Sequence, residues 1–335
     1  MNISVLIPIG DIRDLFITPA VIQAFENLGS LRLNHCTEYD PHVIKQLLAD
    51  CHVCVTGWGC PMLDESLLSD AHNLRMIAHT GGSVASIASD YVYDRGIHVI
   101  SGNKLYAVSV AEGTLAYILA ALRQIPFYSS QVEKGNWGKL SSYSAGLFGK
   151  KVGLLGFGAI ARYLVPMLRL FTTEIQIYDP FVDESICRDY CVTRTDSLKA
   201  LFTECDIISN HLPLTNDTRH IVSADLLNLM RQGALFVNTA RGKTVDEKAL
   251  ENILNSGKIY GVLDVFESEP LPMESKLRGL DNVILMPHMA GLTYDRRESV
   301  GLALAEDIKH MLDNKPLSCE ISRDYAAMMT NDRLV

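Results

Sequence analysis

Three side chains sit where apolar runs stop, and together their types could handle a carboxylate and a proton. Arg241 ends the run "FVNTA", Glu269 follows "VLDVFES", and His288 follows "VILMP". Arginine keeps its charge at any ordinary pH, and its planar fork matches a carboxylate. A histidine takes and gives a proton near neutral pH. A glutamate beside it would orient the imidazole and favour its charged form. Each residue also has a plainer reading. Arg241 could be a strand end reaching solvent, His288 is one of ten histidines, and Glu267, Glu269 and Glu274 could be a solvated acidic patch. Their joint placement at strand ends, downstream of a glycine-rich turn, outweighs those readings.

That turn lies in "KVGLLGFGAIA". Gly156, Gly158 and Ala161 match G-x-G-x-x-G/A between a strand and a helix. The first glycine permits the tight turn and the second lets the backbone approach a pyrophosphate. Ala161 keeps helix and strand close, and the helix amino terminus offers N–H donors to the anion. The next strand, "IQIYD", ends on Asp179 at the distance the dinucleotide fingerprint asks. Its carboxylate would accept the ribose hydroxyls of NAD and repel the 2′-phosphate of NADP. Pro166 should kink the following helix or displace its hydrogen bonding.

The elements that must position these groups form two series. The first hundred residues alternate the runs "ISVLIP", "LRLNHC", "VCVTG", "RMIAHT" and "IHVIS" with helical stretches, which predicts βα units and a mostly parallel sheet. A long apolar helix follows near residues 107–125, then a polar Gly- and Ser-rich passage over 133–149. A second series, "KVGLLG", "IQIYD", "CDIISN", "ALFVNT", "YGVLDV" and "VILMPH", predicts six strands of a doubly wound sheet. Ligands of such sheets bind outside the carboxyl ends of the strands. The last forty or so residues add helices, no strand series, and could pack back on the first domain.

The stretches "GLLGFGAIA", "YDP", "NHLPLTNDTRH", "FVNTARG", "GVLDVFESEPL" and "MPHMAGLT", spanning residues 150–293, resemble the D-isomer-specific 2-hydroxyacid dehydrogenase family. The fold so implied is α/β with two doubly wound parallel-sheet domains. A Rossmann NAD-binding domain, residues 104–292, is inserted in a discontinuous flavodoxin-like substrate domain, residues 1–103 and 293–335. The resemblance implies that Arg241 holds the substrate carboxylate and carbonyl oxygen, with His288 as acid/base and Glu269 as its partner. Asp264 would meet the nicotinamide carboxamide, and Thr239 and Ala240 would line the ring by their backbone. Residues 211–215, with His211, Pro213 and Thr215, would border the cofactor ribose and pyrophosphate. The family's substrate loop, usually G-x-G-x-D, is here "HTGGSVASIASD", where Gly81, Gly82, Ser83 and Val84 can form an anion nest but the following Asp is missing. Gly113 stands in the linker helix where a histidine or a hydrophobe is common.

The expected activity is hydride transfer between NAD(H) and C2 of a small 2-hydroxy or 2-keto acid such as glyoxylate, hydroxypyruvate or pyruvate. Two rival classes stay open: an NAD(H)-sensing corepressor-type binding protein with little turnover, and an NAD-dependent hydrolase. For the second no extra lysine- or cysteine-containing site is visible. A length of 335 residues suits two domains, and 48% hydrophobic with 21% charged residues is a globular composition. The net charge of −9 argues against a general nucleic-acid or anionic-membrane surface. The amino terminus lacks a basic n-region, and the most apolar helix carries Glu112 and Arg123, so a soluble, cytoplasmic protein is expected. Cys51, Cys54 and Cys60 with His52 suggest zinc, but "CHVCVTGWG" reads better as a buried strand, and no metal is expected. Apolar residues on more than one face of the helix over 108–122 predict a homodimer interface.

Overall fold

Parallel strands joined by helical crossovers must be covered on both faces, so their sequences read as nearly unbroken apolar runs. The computed structural model describes residues 1–137 and 144–331 and divides them into two compact units. One is Met1–Tyr106 together with the segment from Leu292 onward; the other is Ala107–Gly291. Part of the Gly- and Ser-rich passage, residues 138–143, lies outside the described residues.

The first unit holds a five-stranded parallel sheet of β1 (Asn2–Val5), β2 (Ser30–Leu33), β3 (Val53–Thr56), β4 (Met76–His79) and β5 (His98–Ser101). Their order is β2-β1-β3-β4-β5, the flavodoxin-like arrangement. Several crossover helices start on side-chain caps. Thr18 and Asp40 each precede a proline at the first helical turn, and Asp64 caps the helix Glu65–Leu68. One face of the sheet is covered with the help of the helix Arg297–Leu312, whose Val300, Leu304 and Ile308 pack with Ile3, Val5 and Ala78. Cys51, Cys54 and Cys60 lie in the core on the other face. Burial pushes the Cys60 thiol up to about 12, and these residues pack as small hydrophobes.

The second unit holds a seven-stranded parallel sheet, one strand more than the apolar runs predict. It comprises β6 (Lys151–Leu155), β7 (Glu174–Tyr178), β8 (Thr193–Arg194), β9 (Ile207–Asn210), β10 (Leu235–Asn238), β11 (Tyr260–Leu263) and β12 (Val283–Leu285). The order β12-β11-β10-β9-β6-β7-β8 reverses at β6, where β7 and β9 flank it on opposite sides. That reversal is the topological switch point at which nucleotides bind. The added strand, β8, is a two-residue edge with no apolar run of its own.

The long apolar helix begins earlier and ends sooner than its composition suggests. It runs Asn103–Leu122, and Gln124, in the left-handed region at φ 51°, separates it from a second helix, Ile125–Glu133, with Pro126 in its first turn. By length and composition the first helix could cross a membrane. Instead its Ala111, Ile118 and Ala121 join the core around Val152, Leu154 and Ile177. The helix Ala159–Arg169 continues through Pro166, which withholds the N–H that Arg162 O would receive.

Candidate active site

Most predicted residues of the second unit lie just past the carboxyl end of a strand. Gly156 follows β6, Asp179 follows β7, His211 follows β9, Arg241 stands three residues past β10, Asp264 follows β11 and His288 stands three past β12. One parallel sheet therefore brings groups spread over 130 or so residues of chain to a single edge.

The turn after β6 has the features a dinucleotide needs. Gly156 sits at φ 85°, and a Cβ there would meet His211 O at 3.1 Å. At Gly158 a Cβ would point into open space, which leaves room for a ligand to reach the backbone. The helix Ala159–Arg169 has no side chain capping its amino terminus, so its first N–H groups are available to an anion. Ala161 is fully buried beneath it. Asp179 is held by the N–H groups of Phe157 (2.8 Å, to Oδ2) and Phe181 (2.9 Å, to Oδ1). Each oxygen keeps a second lone pair for a ribose hydroxyl. These residues fit a dinucleotide.

His211 is buried beside this turn. Its Nε2 lies 2.9 Å from Ser209 Oγ, while Nδ1 has no hydrogen-bond partner among the described residues. Burial lowers its pKa from 6.5 to about 4, so the ring is neutral. Pro213 O accepts from Thr218 Oγ1 at 2.6 Å, and Thr215 N donates to the same hydroxyl at 2.8 Å, which fixes the turn that residues 211–215 enter.

Arg241 is presented by a hydrogen-bonded turn. Asn238 Oδ1 accepts from Ala240 N, Asn238 Nδ2 donates to Arg241 O at 3.2 Å, and Thr244 Oγ1 donates to the same carbonyl at 2.7 Å. Asn210 Nδ2 donates to both Asn238 Oδ1 and Thr244 Oγ1. Arg241 Nη1 itself donates to Ala240 O at 2.8 Å. The Thr239 hydroxyl turns to Thr114 Oγ1 at 3.0 Å.

Glu269 and His288 meet, with Glu269 Oε2 at 2.8 Å from His288 Nδ1. The other oxygen, Oε1, accepts from Phe266 N at 3.0 Å. Burial alone would push the Glu269 pKa up. The His288 hydrogen bond, the Phe266 N–H and the charges of His288 and Arg241 outweigh it, and the pKa falls below its ordinary 4.5. His288 takes the left-handed conformation at φ 53°, uncommon for a residue with a side chain and a recurrent feature of functional sites. Buried Asp264 holds it there. Its Oδ1 accepts from Met289 N at 2.8 Å, its Oδ2 from Ala290 N at 3.0 Å, and its carbonyl from His288 N at 2.8 Å. Tyr117 Oη donates to Asp264 Oδ1 at 3.4 Å.

In the first unit, the N–H groups of Gly81, Gly82, Ser83 and Val84 donate to no group among the described residues. Neither glycine has a left-handed φ. Gly81 is required by space, since a Cβ would lie 2.4 Å from His79 Nε2 and 2.9 Å from Trp58 Nε1. His79 is buried, bonded to Thr56 Oγ1 at 2.9 Å, and lowered by burial from 6.5 to about 4.

Sequence reasoning passed over Asn210, Asn238 and Thr244, whose amide and hydroxyl groups carry no motif of their own. It noted Gly113 without a reason. A Cβ there would lie 2.8 Å from Ala290 O, so the glycine lets the loop after His288 approach the linker helix.

Residues 115–290 match the family model described as "D-isomer specific 2-hydroxyacid dehydrogenase, NAD binding domain". The chain is 38% identical over 245 residues to a hydroxypyruvate reductase of Thermotoga maritima, covering 72% of this chain and 79% of that protein. It is 33% identical over 292 residues to a D-3-phosphoglycerate dehydrogenase of Methanocaldococcus jannaschii, covering 87% of this chain but only 55% of the relative. The chain therefore spans about half the length of that relative. In fold it is similar to the crystal structure of a glyoxylate reductase from Paecilomyes thermophila, with a TM-score of 0.80, 24% identity, and coverage of 97% of this chain and 99% of that one. With its NAD-binding domain matched and its two parallel sheets shared, the chain belongs to the D-isomer-specific 2-hydroxyacid dehydrogenase family.

Proposed function

We propose that the protein is an NADH-dependent reductase of a small 2-keto acid, run in reverse as a dehydrogenase of the D-2-hydroxy acid. The observation that carries this reading is the Glu269–His288 pair at 2.8 Å, beside Arg241 and on the same sheet edge as a dinucleotide turn. Arg241 pairs with the substrate carboxylate and polarises the keto oxygen, stabilising charge that grows as the carbonyl is reduced. Glu269 occupies His288 Nδ1, so Nε2 is the ring atom that gives its proton to the keto oxygen, and in oxidation takes the hydroxyl proton. A nicotinamide cofactor, held at the Gly156–Gly158 turn and by Asp179, would supply the hydride chemistry. Asp264 fixes the loop that carries His288, and Asp179 favours NAD(H) over NADP(H). The linker helix forms the contact of a homodimer.

The substrate is a small acid of the glyoxylate, hydroxypyruvate or pyruvate type. The relatives named above lend no support to the corepressor alternative. The experiment is NADH consumption across a panel of 2-keto acids, with Arg241→Ala and His288→Ala alongside. Turnover that both substitutions abolish supports the reading. Tight NADH binding without turnover on any acid overturns it in favour of a sensor.

A further inference from the structure

Two carboxylates and an imidazole lie close to the proposed acid/base pair and take no part in its chemistry. Glu267 N donates to Glu247 Oε2 at 2.8 Å, and Glu247 N donates back to Glu267 Oε1 at 3.2 Å. His220 Nε2 stands 2.9 Å from the same Glu267 Oε1. Two carboxylates thus bind each other's backbone in a reciprocal clamp, with an imidazole on one of them.

The arrangement is electrostatically unfavourable in itself. Glu247 is half-buried, and its pKa is raised by that burial and by the charges of Glu267, Glu251 and Glu269, which outweigh the lowering by the Glu267 N–H bond. A site that crowds like charges gives up stability for something else. What it secures is the segment Phe266–Glu267. Phe266 N holds Glu269 Oε1 at 3.0 Å, and Glu269 Oε2 holds His288 Nδ1 at 2.8 Å. The same segment is backed by Gly242, where a Cβ would fall 1.9 Å from Phe266 C. Arg241 is the residue before that glycine. One stretch of backbone therefore touches the supports of all three proposed catalytic groups.

The clamp has a firm base. Glu247 opens the helix Glu247–Asn255, whose cap Asp246 accepts from Ala249 N, and its carboxylate lies at the positive end of the helix. His220 is carried by a parallel bridge between Val222 and Val245, with His220 N donating to Lys243 O and Asp246 N to Val222 O. His220 and Glu247 are thus fixed to each other before either meets Glu267.

We infer, resting on the function proposed above, that Glu247, Glu267 and His220 are positioning residues that clamp the Phe266–Glu267 backbone and so set where Glu269 holds the His288 imidazole. They touch neither substrate nor cofactor. The clamp needs an acceptor at Glu247 and not its charge, because a glutamine oxygen can receive the Glu267 N–H equally well.

The test compares Glu247→Ala with Glu247→Gln by two readouts. One is steady-state kinetics with NADH and the best keto acid. The other is the nuclear magnetic resonance signal of the His288 ring, labelled with 15N, which reports the Nδ1 bond to Glu269 without any substrate. Glu247→Ala should lower kcat about tenfold, as expected for a displaced acid/base group, with the KM for NADH unchanged and the His288 signal shifted. Glu247→Gln should restore both. A Glu247→Ala protein with wild-type kcat and an unmoved His288 signal overturns the inference, as does a glutamine variant no better than alanine. Should Glu247→Ala fail to fold, Glu267→Ala replaces it. It removes the Oε1 that meets both the Glu247 N–H and the His220 ring, so the signal should shift, and an unmoved signal overturns the clamp. A wild-type protein inactive on every keto acid would defeat the proposed function alone, since the ring signal still judges the clamp.

Discussion

Replacing Gly242 with alanine perturbs the site at the point where its parts touch. A Cβ there would stand 1.9 Å from Phe266 C, 2.0 Å from Phe266 O and 2.4 Å from Glu267 N. All three are backbone atoms and cannot swing aside. Relief to an ordinary van der Waals contact needs a separation of about 1.5 Å between the Arg241 turn and the Phe266–Glu267 segment. Arg241 and the Glu269–His288 pair would part by a similar distance. A misplacement of about 1 Å costs roughly 100-fold in rate, so kcat/KM should fall at least about 100-fold, or about 2.7 kcal/mol of barrier. The stability cost of such overpacking is about 1–3 kcal/mol, so the variant should fold and melt at a lower temperature. NADH binding, followed by fluorescence, should persist, because the Gly156–Asp179 turn lies on other strands. Gly146→Ala is the control, since a Cβ there meets nothing within 4 Å. A folded Gly242→Ala protein with kcat/KM within about threefold of wild type would refute the claim that this close approach sets the geometry.

Other substitutions probe separate parts. Asp179→Asn keeps an acceptor for Phe157 N but removes the charge that repels a 2′-phosphate. The preference for NADH over NADPH in kcat/KM should fall about tenfold or more, and an unchanged ratio would remove Asp179 from cofactor choice. Asp264→Asn leaves one of the Met289 and Ala290 N–H groups facing an amide NH2, which costs about 1–3 kcal/mol. Urea unfolding should show that loss, and kcat should fall as the His288 loop loosens. Buried His79 and His211 both have pKa values lowered by burial from 6.5 to about 4. The unfolded chain then binds more protons between those values, so their contribution is complete above pH 6.5 and is lost as the pH falls toward 4. Each should forfeit about 3 kcal/mol by pH 4. Urea midpoints of the nucleotide-free protein between pH 7.5 and 4.5 test this, and a His79→Gln variant should show the shallower dependence.

The architecture was legible where burial makes a strand a continuous apolar run. β3, β4, β9 and β10 are buried at every residue, and all stand out in the sequence as "VCVT", "MIAH", "IISN" and "LFVN". β8 was not legible, because two residues at a sheet edge need no apolar pattern. The break in the apolar helix was hidden for another reason. Gln124 adopts a left-handed φ that no composition announces, although Pro126 two residues later could have marked a new start. The candidate residues Arg241, Glu269, His288, Gly156, Gly158, Ala161 and Asp179 were read from strand ends and the glycine turn, and the others from the family resemblance. Their supports were missed because they depend on tertiary approach: Glu247 and Glu267 are 20 residues apart and meet only when β10 and β11 lie side by side. Gly81 and Gly242 show the same limit. Sequence marks them as glycines, and only the packing shows that absent space, rather than backbone freedom, demands them.

The most direct measurement follows the hydride. The protein would be incubated with the keto acid it turns over and NADH carrying deuterium at the transferable C4 position, and the product analysed by mass spectrometry and chiral separation. The account predicts a D-2-hydroxy acid with one deuterium at C2, formed by the wild type and not by His288→Ala. A product lacking that deuterium, or one formed equally well without His288, would contradict it.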